Sequence, residues 1–261
     1  MIVKKIAKNI LNTAKHSVER QIKRTGEKAV LIVSSEKTAL LDYELVRFIA
    51  TKNMPIYLLG KDIAELTEKL ATQSISVNSV TVDPANAEDL KLAFKRIENE
   101  GCYAELVIYN TPEAEPVGFL DITEETVHSA WKDDCLSSFY VAQQALNHML
   151  PRGSGTLIFG GASSSRQGKR GDVLNATTKA GLRLMTQSIA REFSSKGIHV
   201  IHAVLDDNTS KLAAGAANTY WQLYKQHVTT WTHEIDLSNT QPLRFNSPNP
   251  DATRVMTDFL S

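Results

Sequence analysis

The chain has 261 residues, of which 42% are hydrophobic and 22% charged, so it is long enough for one α/β domain with a full core and has the composition of a soluble globular protein. Its 29 basic side chains are balanced by 29 acidic ones, which excludes the strong overall charge typical of proteins that bind nucleic acids. Its 2 cysteines are too few for a disulfide scaffold and indicate a reducing compartment, the cytoplasm, and no apolar run approaches the about 20 residues that span a bilayer.

Residues 1–26 carry the charge asymmetry of the chain. They contain seven lysines and arginines against one acidic residue, a balance of +6, which leaves 22 basic against 28 acidic residues, or −6, in the remainder. Ile2, Ile6 and Ile10 fall near one face of a helix and lysines cover the rest, which predicts a basic amphipathic helix. Packing on the body or on a partner subunit is the first interpretation; a membrane-surface helix and an organelle transit peptide are the alternatives.

From residue 28 onward, short apolar runs alternate with segments of helical periodicity, which is the pattern of a parallel sheet covered by helices. The predicted strands of the first half comprise residues 28–33, 55–59, 76–82 and 105–108, and the predicted helices comprise residues 42–52, 62–71 and 86–99. Asp121 and Glu124 have the spacing of a capping box, which predicts the start of a long helix that runs to about Leu150.

The second half contains a strand, a helix and a strand joined by short connections. An apolar run at residues 156–159 predicts a buried strand, and an apolar stripe through Leu184 predicts a helix over residues 175–195. Gly197 is placed to end that helix, and Ile198–Leu205 is predicted to be a second buried strand. This arrangement is a right-handed parallel crossover, so the loops after both strands lie at one edge of the sheet, where such sheets bind ligands.

The segment after this crossover is predicted to be irregular at first. Residues 207–218 contain a run of small residues at 213–217, which suits either a mobile lid or a plain linker. A helix at residues 219–223 and a last strand within residues 231–237 are predicted to follow.

Together these elements predict an α/β fold: a doubly wound parallel sheet of about seven strands, in one Rossmann-type domain over residues 27–240. An extra N-terminal helix precedes the domain, and residues 241–261, which are rich in proline, are predicted to form an irregular tail. No group of histidine, cysteine and acidic residues has the spacing of a metal site, so no metal is expected.

Residues 155–206 resemble the short-chain dehydrogenase/reductase family. The family pattern is a strand, a catalytic serine, and Tyr-x-x-x-Lys at the start of a long helix that leads to the next strand. Lys179 matches the lysine, and Asn175 stands four residues before it, where the family has tyrosine. The serine position falls on Ala162, with Ser163 next to it.

The family reaction is hydride transfer between a nicotinamide and an alcohol or carbonyl. The resemblance implies that the tyrosine is the acid/base, the lysine lowers its pKa and holds the ribose, and the serine polarises the carbonyl. A helix asparagine also belongs to the pattern, and Cys135 stands at its position; a small core residue is the alternative for Cys135. The implied catalytic positions are Lys179, Asn175, Ser163 and Cys135. A carboxamide has no titratable proton near neutral pH, so Asn175 is expected to cost about 10²–10⁴-fold in rate.

The resemblance implies NADP(H) as the cofactor, if one binds. Residues 34–41 stand where the family has its glycine motif, but all three glycines are absent, so backbone approach to a pyrophosphate is hindered. Lys37 and Lys61 match the basic pattern of family members that use NADP, although solvated surface lysines would look the same. Asp83 matches an aspartate that contacts adenine, or is a turn residue. The implied cofactor-binding residues are Ser34, Ser35, Lys37, Lys61, Asp83, Asn110 and Lys179.

Two functional hypotheses from different classes follow, with a third for the N-terminal helix. The first is a family-fold protein impaired in catalysis that acts as a binding or structural subunit, beside a competent homologue or in a homodimer or homotetramer. The second is a working NADP(H)-dependent oxidoreductase with a substituted site. It draws on the resemblance of residues 219–223 and 231–237 to a subgroup that also tends to lack the tyrosine. The third is a protein that docks on a partner or a membrane through residues 1–26.

Overall fold

Seven parallel strands form one sheet in the part of the chain that the computed structural model describes, residues 26–205 and 210–237. The strands are β1 Glu27–Val33, β2 Ile56–Gly60, β3 Asn78–Thr81, β4 Cys102–Asn110, β5 Gly155–Ala162, β6 Ile198–Leu205 and β7 Glu234–Asp236. Their order is β3-β2-β1-β4-β5-β6-β7, and every neighbouring pair is parallel. This order confirms the prediction of a doubly wound sheet.

Helices cover both faces of the sheet. They are α1 Ala39–Ala50, α2 Ala64–Thr72, α3 Ala87–Asn99, α4 Glu124–Trp131, α5 Ser137–Met149, α6 Val173–Phe193 and α7 Ser210–Lys225. A π-helical segment, Lys132–Leu136, joins α4 to α5. Within the described residues, none of these helices combines the length and the apolar character needed to cross a bilayer.

Two hydrophobic cores lie on either side of the sheet because successive strand side chains point to opposite faces. Leu31 of β1 packs in the core that contains residues of α3, α5 and α6, while its neighbour Ile32 packs in the core that contains residues of α1, α2 and α7. The five inner strands β2, β1, β4, β5 and β6 are buried on both faces, which is why their sequences contain continuous apolar runs, whereas the edge strand β3 is largely exposed and the edge strand β7 is only partly buried.

The long helix after β4 starts later than the sequence predicts. Thr123 is the N-cap: its hydroxyl accepts from the N–H of Thr126 at 3.2 Å, and the hydroxyl of Thr126 accepts from the N–H of Thr123 at 3.0 Å. Asp121 instead ends a short 3-10 turn, Phe119–Asp121. The predicted continuous helix is also interrupted by the π-helical segment, which changes the direction in which the following side chains point.

Two further predictions are corrected by packing. The small residues at 213–217 belong to α7, and Ala213, Ala216 and Ala217 are buried in the core beside α1, so the run is a close helix contact and neither a lid nor a linker. On α6 the predicted apolar stripe is correct only in part: Met185, Ile189 and Phe193 pack against the core, whereas Leu184 is 64% exposed. The predicted N-terminal helix and the predicted tail at residues 241–261 lie outside the described residues, apart from residue 26.

Candidate functional site

The candidate site lies where the strand order reverses, between β1 and β4, at the carboxyl ends of the strands. Ser34 and Ser35 follow β1, and Asn110 ends β4. Asn175 and Lys179 face this edge from the first two turns of α6. The structure therefore brings these predicted residues to one cleft, although their sequence separations are large.

Lys179 is completely buried, with 0% of its surface exposed. Its ammonium donates hydrogen bonds to the carbonyl of Thr111 at 3.1 Å, to the hydroxyl of Thr111 at 2.6 Å and to the carbonyl of Pro112 at 2.8 Å. The carboxylate of Asp134 lies 3.1 Å from the same nitrogen and forms an ion pair with it. All the polar contacts of Lys179 are thus made within the chain.

Asn175 holds the backbone of the same region. Its carbonyl oxygen accepts from the N–H of Ala114 at 2.7 Å, and its amide donates to the carbonyl of Ala114 at 2.9 Å and to the carboxylate of Asp172 at 2.7 Å. Asn175 is buried, and its amide group is satisfied by these contacts. A side chain that pairs with both polar groups of one residue fixes the position of that residue.

Lys37 reaches the same segment from the loop after β1. Its ammonium donates to the carbonyl of Glu113 at 2.7 Å and to the carboxylate of Glu115 at 3.2 Å. Residues 111–116, called the strap below, are therefore held by Lys37 on one side and by Asn175 and Lys179 on the other. The strap crosses the cleft between the first loop of the sheet and α6.

A buried carboxylate lies beneath the loop that follows β1. Asp42 is fully buried and accepts hydrogen bonds from the hydroxyls of Ser34 and Thr38, both at 2.6 Å, and from the amide of Asn110 at 2.8 Å. Asn110 in turn accepts from the hydroxyl of Tyr220 at 3.2 Å. Burial raises the pKa of Asp42 to about 6, against the lowering effect of these three donors. Two predicted cofactor contacts, Ser34 and Asn110, are thus engaged by an internal acid.

Lys61 and Asp83 pair with each other at 2.9 Å. Asp83 also accepts from the N–H of Ala85 at 2.9 Å, so it performs the turn role that the sequence left open. Ser163 lies in a short turn after β5, where its hydroxyl accepts from the ammonium of Lys169 at 3.0 Å.

Cys135 does not face Lys179. Its thiol donates to the carbonyl of Thr178 at 3.0 Å, and it lines an apolar groove together with Trp131 and Gly181. Burial raises the pKa of this thiol to about 12, so it is protonated at neutral pH. The residue of this segment that forms an ion pair with Lys179 is Asp134.

Sequence reasoning missed both buried acids and the strap. Asp42 stands among the apolar residues of the first predicted helix, and Asp134 stands in the middle of the long helix that is predicted to run to about Leu150. A carboxylate buried without a partner would be unfavourable at either place. An acidic side chain in an apolar stripe is therefore the signal that would have found them.

The fold and the site define a Rossmann-type protein with a cleft at its topological switch point. Residues 28–214 match the family model for short chain dehydrogenase, which covers more than half of the chain. The chain belongs to the short-chain dehydrogenase family.

Individual relatives are distant. Over 116 residues the chain is 27% identical to acetoacetyl-CoA reductase of Cupriavidus necator, which is 44% of this chain and 47% of that protein, so the match spans about half the length of this curated relative. A crystal structure of a short-chain dehydrogenase from Rhodopseudomonas palustris superposes with a TM-score of 0.72 at 25% identity over 82% of this chain and 98% of that chain. ElxO with NADP bound, at 14% identity over 81% of this chain and 97% of that chain, has a TM-score of 0.70 and shows the fold alone.

The two side chains that the resemblance assigns to the nicotinamide half of NADP(H) are engaged within the chain. The resemblance assigns the ribose of that half to the family lysine, yet Lys179 is buried beneath the strap and engaged by Thr111, Pro112 and Asp134. Asn175, in the tyrosine position, is engaged by Ala114. Both side chains would have to exchange internal partners before they could contact a bound dinucleotide.

Proposed function

We propose that this chain is a short-chain dehydrogenase-fold protein impaired in hydride transfer that acts as a binding or structural subunit. The observation that carries the proposal is the state of Asn175 and Lys179. Asn175 has no proton to give near neutral pH, and general acid–base help is worth about 10²–10⁴-fold in rate. Lys179 is turned to the strap and to Asp134.

The free energy needed to move Lys179 away from its partners supports the arrangement in which the strap covers this side chain. Each hydrogen bond from a charged donor contributes about 1.5–3 kcal/mol. Withdrawing the ammonium would also leave Asp134 buried without its partner, and the loss of one member of a buried pair costs about 3–5 kcal/mol. A bound cofactor would have to offset both effects to recruit Lys179.

Restoring the family tyrosine alone is expected to leave the protein inactive. The Asn175→Tyr variant gains a phenol, but it loses the contacts to Ala114, and Lys179 remains paired with Asp134. We expect no NADPH consumption above the rate without enzyme, for this variant and for the unmodified protein. The measurement is NADPH absorbance with a panel of simple ketones and aldehydes.

A competent family member, assayed with the same carbonyl compounds, is the positive control for this experiment. Stereospecific reduction by the unmodified protein would contradict the proposal and favour the alternative, an NADP(H)-dependent oxidoreductase with a substituted site. Activity in Asn175→Tyr alone would show that the tyrosine was the single missing component.

We further propose that the chain forms a homodimer through an apolar face on α4, the π-helical segment, α5 and α6. Four large side chains of this face are well exposed: Trp131 43%, Leu136 40%, Phe139 46% and Leu184 64%. Trp131, Leu136 and Phe139 line one apolar groove together with Met185 and Cys135. Contiguous apolar surface of this kind marks an interaction site, and a two-fold axis lets one patch pair with its own copy.

Phe139→Glu is expected to convert the dimer to a monomer, because a charge would be buried in the apolar groove that Phe139 lines. Size-exclusion chromatography with light scattering measures the change. Leu92→Glu is the matched control, since Leu92 is 57% exposed on α3, outside this face, and is expected to leave the dimer intact. A wild-type protein that is monomeric at all concentrations would contradict the proposal.

The remaining proposals concern other partners, the location and the N-terminal segment. A competent homologue is the alternative partner to a second copy of this chain, and a homotetramer would need a second interface. The cytoplasm is the proposed location, and the thiols of Cys102 and Cys135, both unbridged, support it.

The proposed docking role of residues 1–26 is tested by deleting the first 25 residues and measuring binding to anionic vesicles; unchanged binding would contradict it.

A further inference from the structure

A cavity of about 270 Å³ lies between the strap and α4. Its walls come from the strap and the residue after it, from α4, from the π-helical segment and from the first two turns of α6. Apolar side chains form much of these walls: Pro112, Ala114, Val117, Ala130 and Leu174. Gly160, Gly161 and Asn175, which line the cleft at the switch point, do not line this cavity, so the two are distinct.

The carboxylate of Asp134 is the most buried charged group in the wall of this cavity. Asp134 is 3% exposed, and its Oδ2 lies 3.1 Å from the ammonium of Lys179. Its other oxygen, Oδ1, has no hydrogen-bond partner within residues 26–205 and 210–237. A buried carboxylate oxygen without a donor is unfavourable, so a donor that enters the cavity gains a hydrogen bond at this atom.

The charges around the cavity are mainly negative. Glu113, Glu115 and Asp133 line it with exposed side chains. Lys37 also lines it, but its ammonium is already paired with Glu115 at 3.2 Å. With the buried aspartate, four carboxylates stand against two ammonium groups, those of Lys37 and Lys179, which leaves an excess of two negative charges. A concave site with this charge raises the local concentration of cations.

We infer that this cavity binds a small organic cation, an ammonium group on a compact apolar body. The ammonium donates to Oδ1 of Asp134, and the apolar body packs against Val117 and Leu174. A hard metal ion takes about six oxygen ligands, which these apolar walls do not offer. The volume is close to the lower end of the range of about 300–1,000 Å³ for ligand pockets. The inference goes beyond the proposed function, which assigns no ligand to this cavity.

Titration of the full chain with benzylammonium chloride tests the inference, with the NMR shifts of the backbone amides of Ala114 and Ala130 as the measurement. Benzyl alcohol, which has the same ring without the charge, is the matched probe. Benzylammonium is expected to bind at least about tenfold more tightly, because its donor is charged and its acceptor is a buried carboxylate. Equal affinities for the two probes, or no binding of benzylammonium at millimolar concentrations, would overturn the inference.

Two variants locate the bound cation. Asp134→Asn keeps the shape of the side chain and removes its charge, so it is expected to weaken benzylammonium binding by about tenfold. Ala130→Leu fills the cavity without changing any charge and is expected to abolish the binding of benzylammonium. Glu125→Gln is the matched control, because Glu125 is an exposed carboxylate of the same helix, α4, outside the cavity wall. It is expected to leave the affinity within about twofold.

Unchanged affinity in either Asp134→Asn or Ala130→Leu would overturn the assignment to this cavity. Circular dichroism melting shows that each variant is folded, and Ala130→Leu decides the matter if the loss of the ion pair unfolds Asp134→Asn. The binding of benzylammonium is measured without a nicotinamide cofactor. Its failure is therefore distinguished from failure of the proposed function, which is seen as NADPH consumption by the unmodified protein.

Discussion

Asp134→Ala is expected to lower the free energy of unfolding by about 3–5 kcal/mol, the cost of leaving one member of a buried ion pair alone. Lys179 has no exposed surface, and Asp134 supplies the negative charge nearest to its ammonium, at 3.1 Å. Without Asp134 the ammonium of Lys179 is left buried among neutral carbonyls with no counter-charge. Urea-induced unfolding, analysed by linear extrapolation, measures the change.

The double variant Asp134→Leu with Lys179→Met is the matched control. It removes both charges together, so we expect a smaller loss than for Asp134→Ala alone, although the carbonyl of Pro112 loses its donor. If the losses of Asp134→Leu and of Lys179→Met, each measured alone, simply add in the double variant, the two residues are not coupled and the ion pair is not what holds Lys179.

His202→Leu is expected to flatten the loss of stability between pH 6.5 and pH 4. Burial lowers the pKa of His202 to about 4, and the positive charges of Arg183, Lys179 and Arg166 act in the same direction, against the carboxylate of Glu234. Among residues 26–205 and 210–237, neither ring nitrogen of His202 has a hydrogen-bond partner, so an apolar side chain replaces the ring without stranding a polar group.

The direction follows from proton linkage. The unfolded chain binds a proton at His202 below about pH 6.5, whereas the folded chain resists it down to about pH 4, so the neutral ring contributes stability at neutral pH that is lost as the pH falls. The shift corresponds to about 3 kcal/mol. Unfolding free energies of wild type and His202→Leu across this range measure it, with the exposed His227→Gln as control. Parallel pH profiles of wild type and His202→Leu would contradict the prediction.

Asp42 acts with the opposite sign. The pKa of Asp42 in the folded chain is raised to about 6. This group therefore stabilises the folded state at pH values below its pKa in the unfolded chain, and that stability is lost as the pH rises through about 6. Burial lowers the pKa of His199 to about 4 as well, so the acidic limb of the wild-type profile is the balance of the two histidines against Asp42. Asp42→Asn is expected to steepen it, and this opposite change distinguishes the two buried groups in one set of measurements.

Local sequence patterns were sufficient to predict the elements whose residues are buried along their whole length. The apolar run Ile198–Leu205 was predicted at its observed boundaries, because Gly197, which adopts a left-handed conformation with φ of 83°, ends the preceding turn. The π-helical segment, in contrast, shifts the direction of the side chains that follow, and no periodicity predicted that Asp134 would pair with Lys179.

By itself, the sequence determined the strand–helix alternation, the parallel sheet and the absence of a titratable proton at Asn175, because these depend on periodicity and on residue type. Only the tertiary structure decided that Lys179 is closed in by the strap and Asp134, and that the run at residues 213–217 is helical. Lys179 and Thr111 are 68 residues apart in the chain, and no local pattern specifies which of many polar groups becomes the partner of a buried charge. The tertiary packing determines the partner, because a buried ammonium must form hydrogen bonds with the acceptors that the fold places next to it.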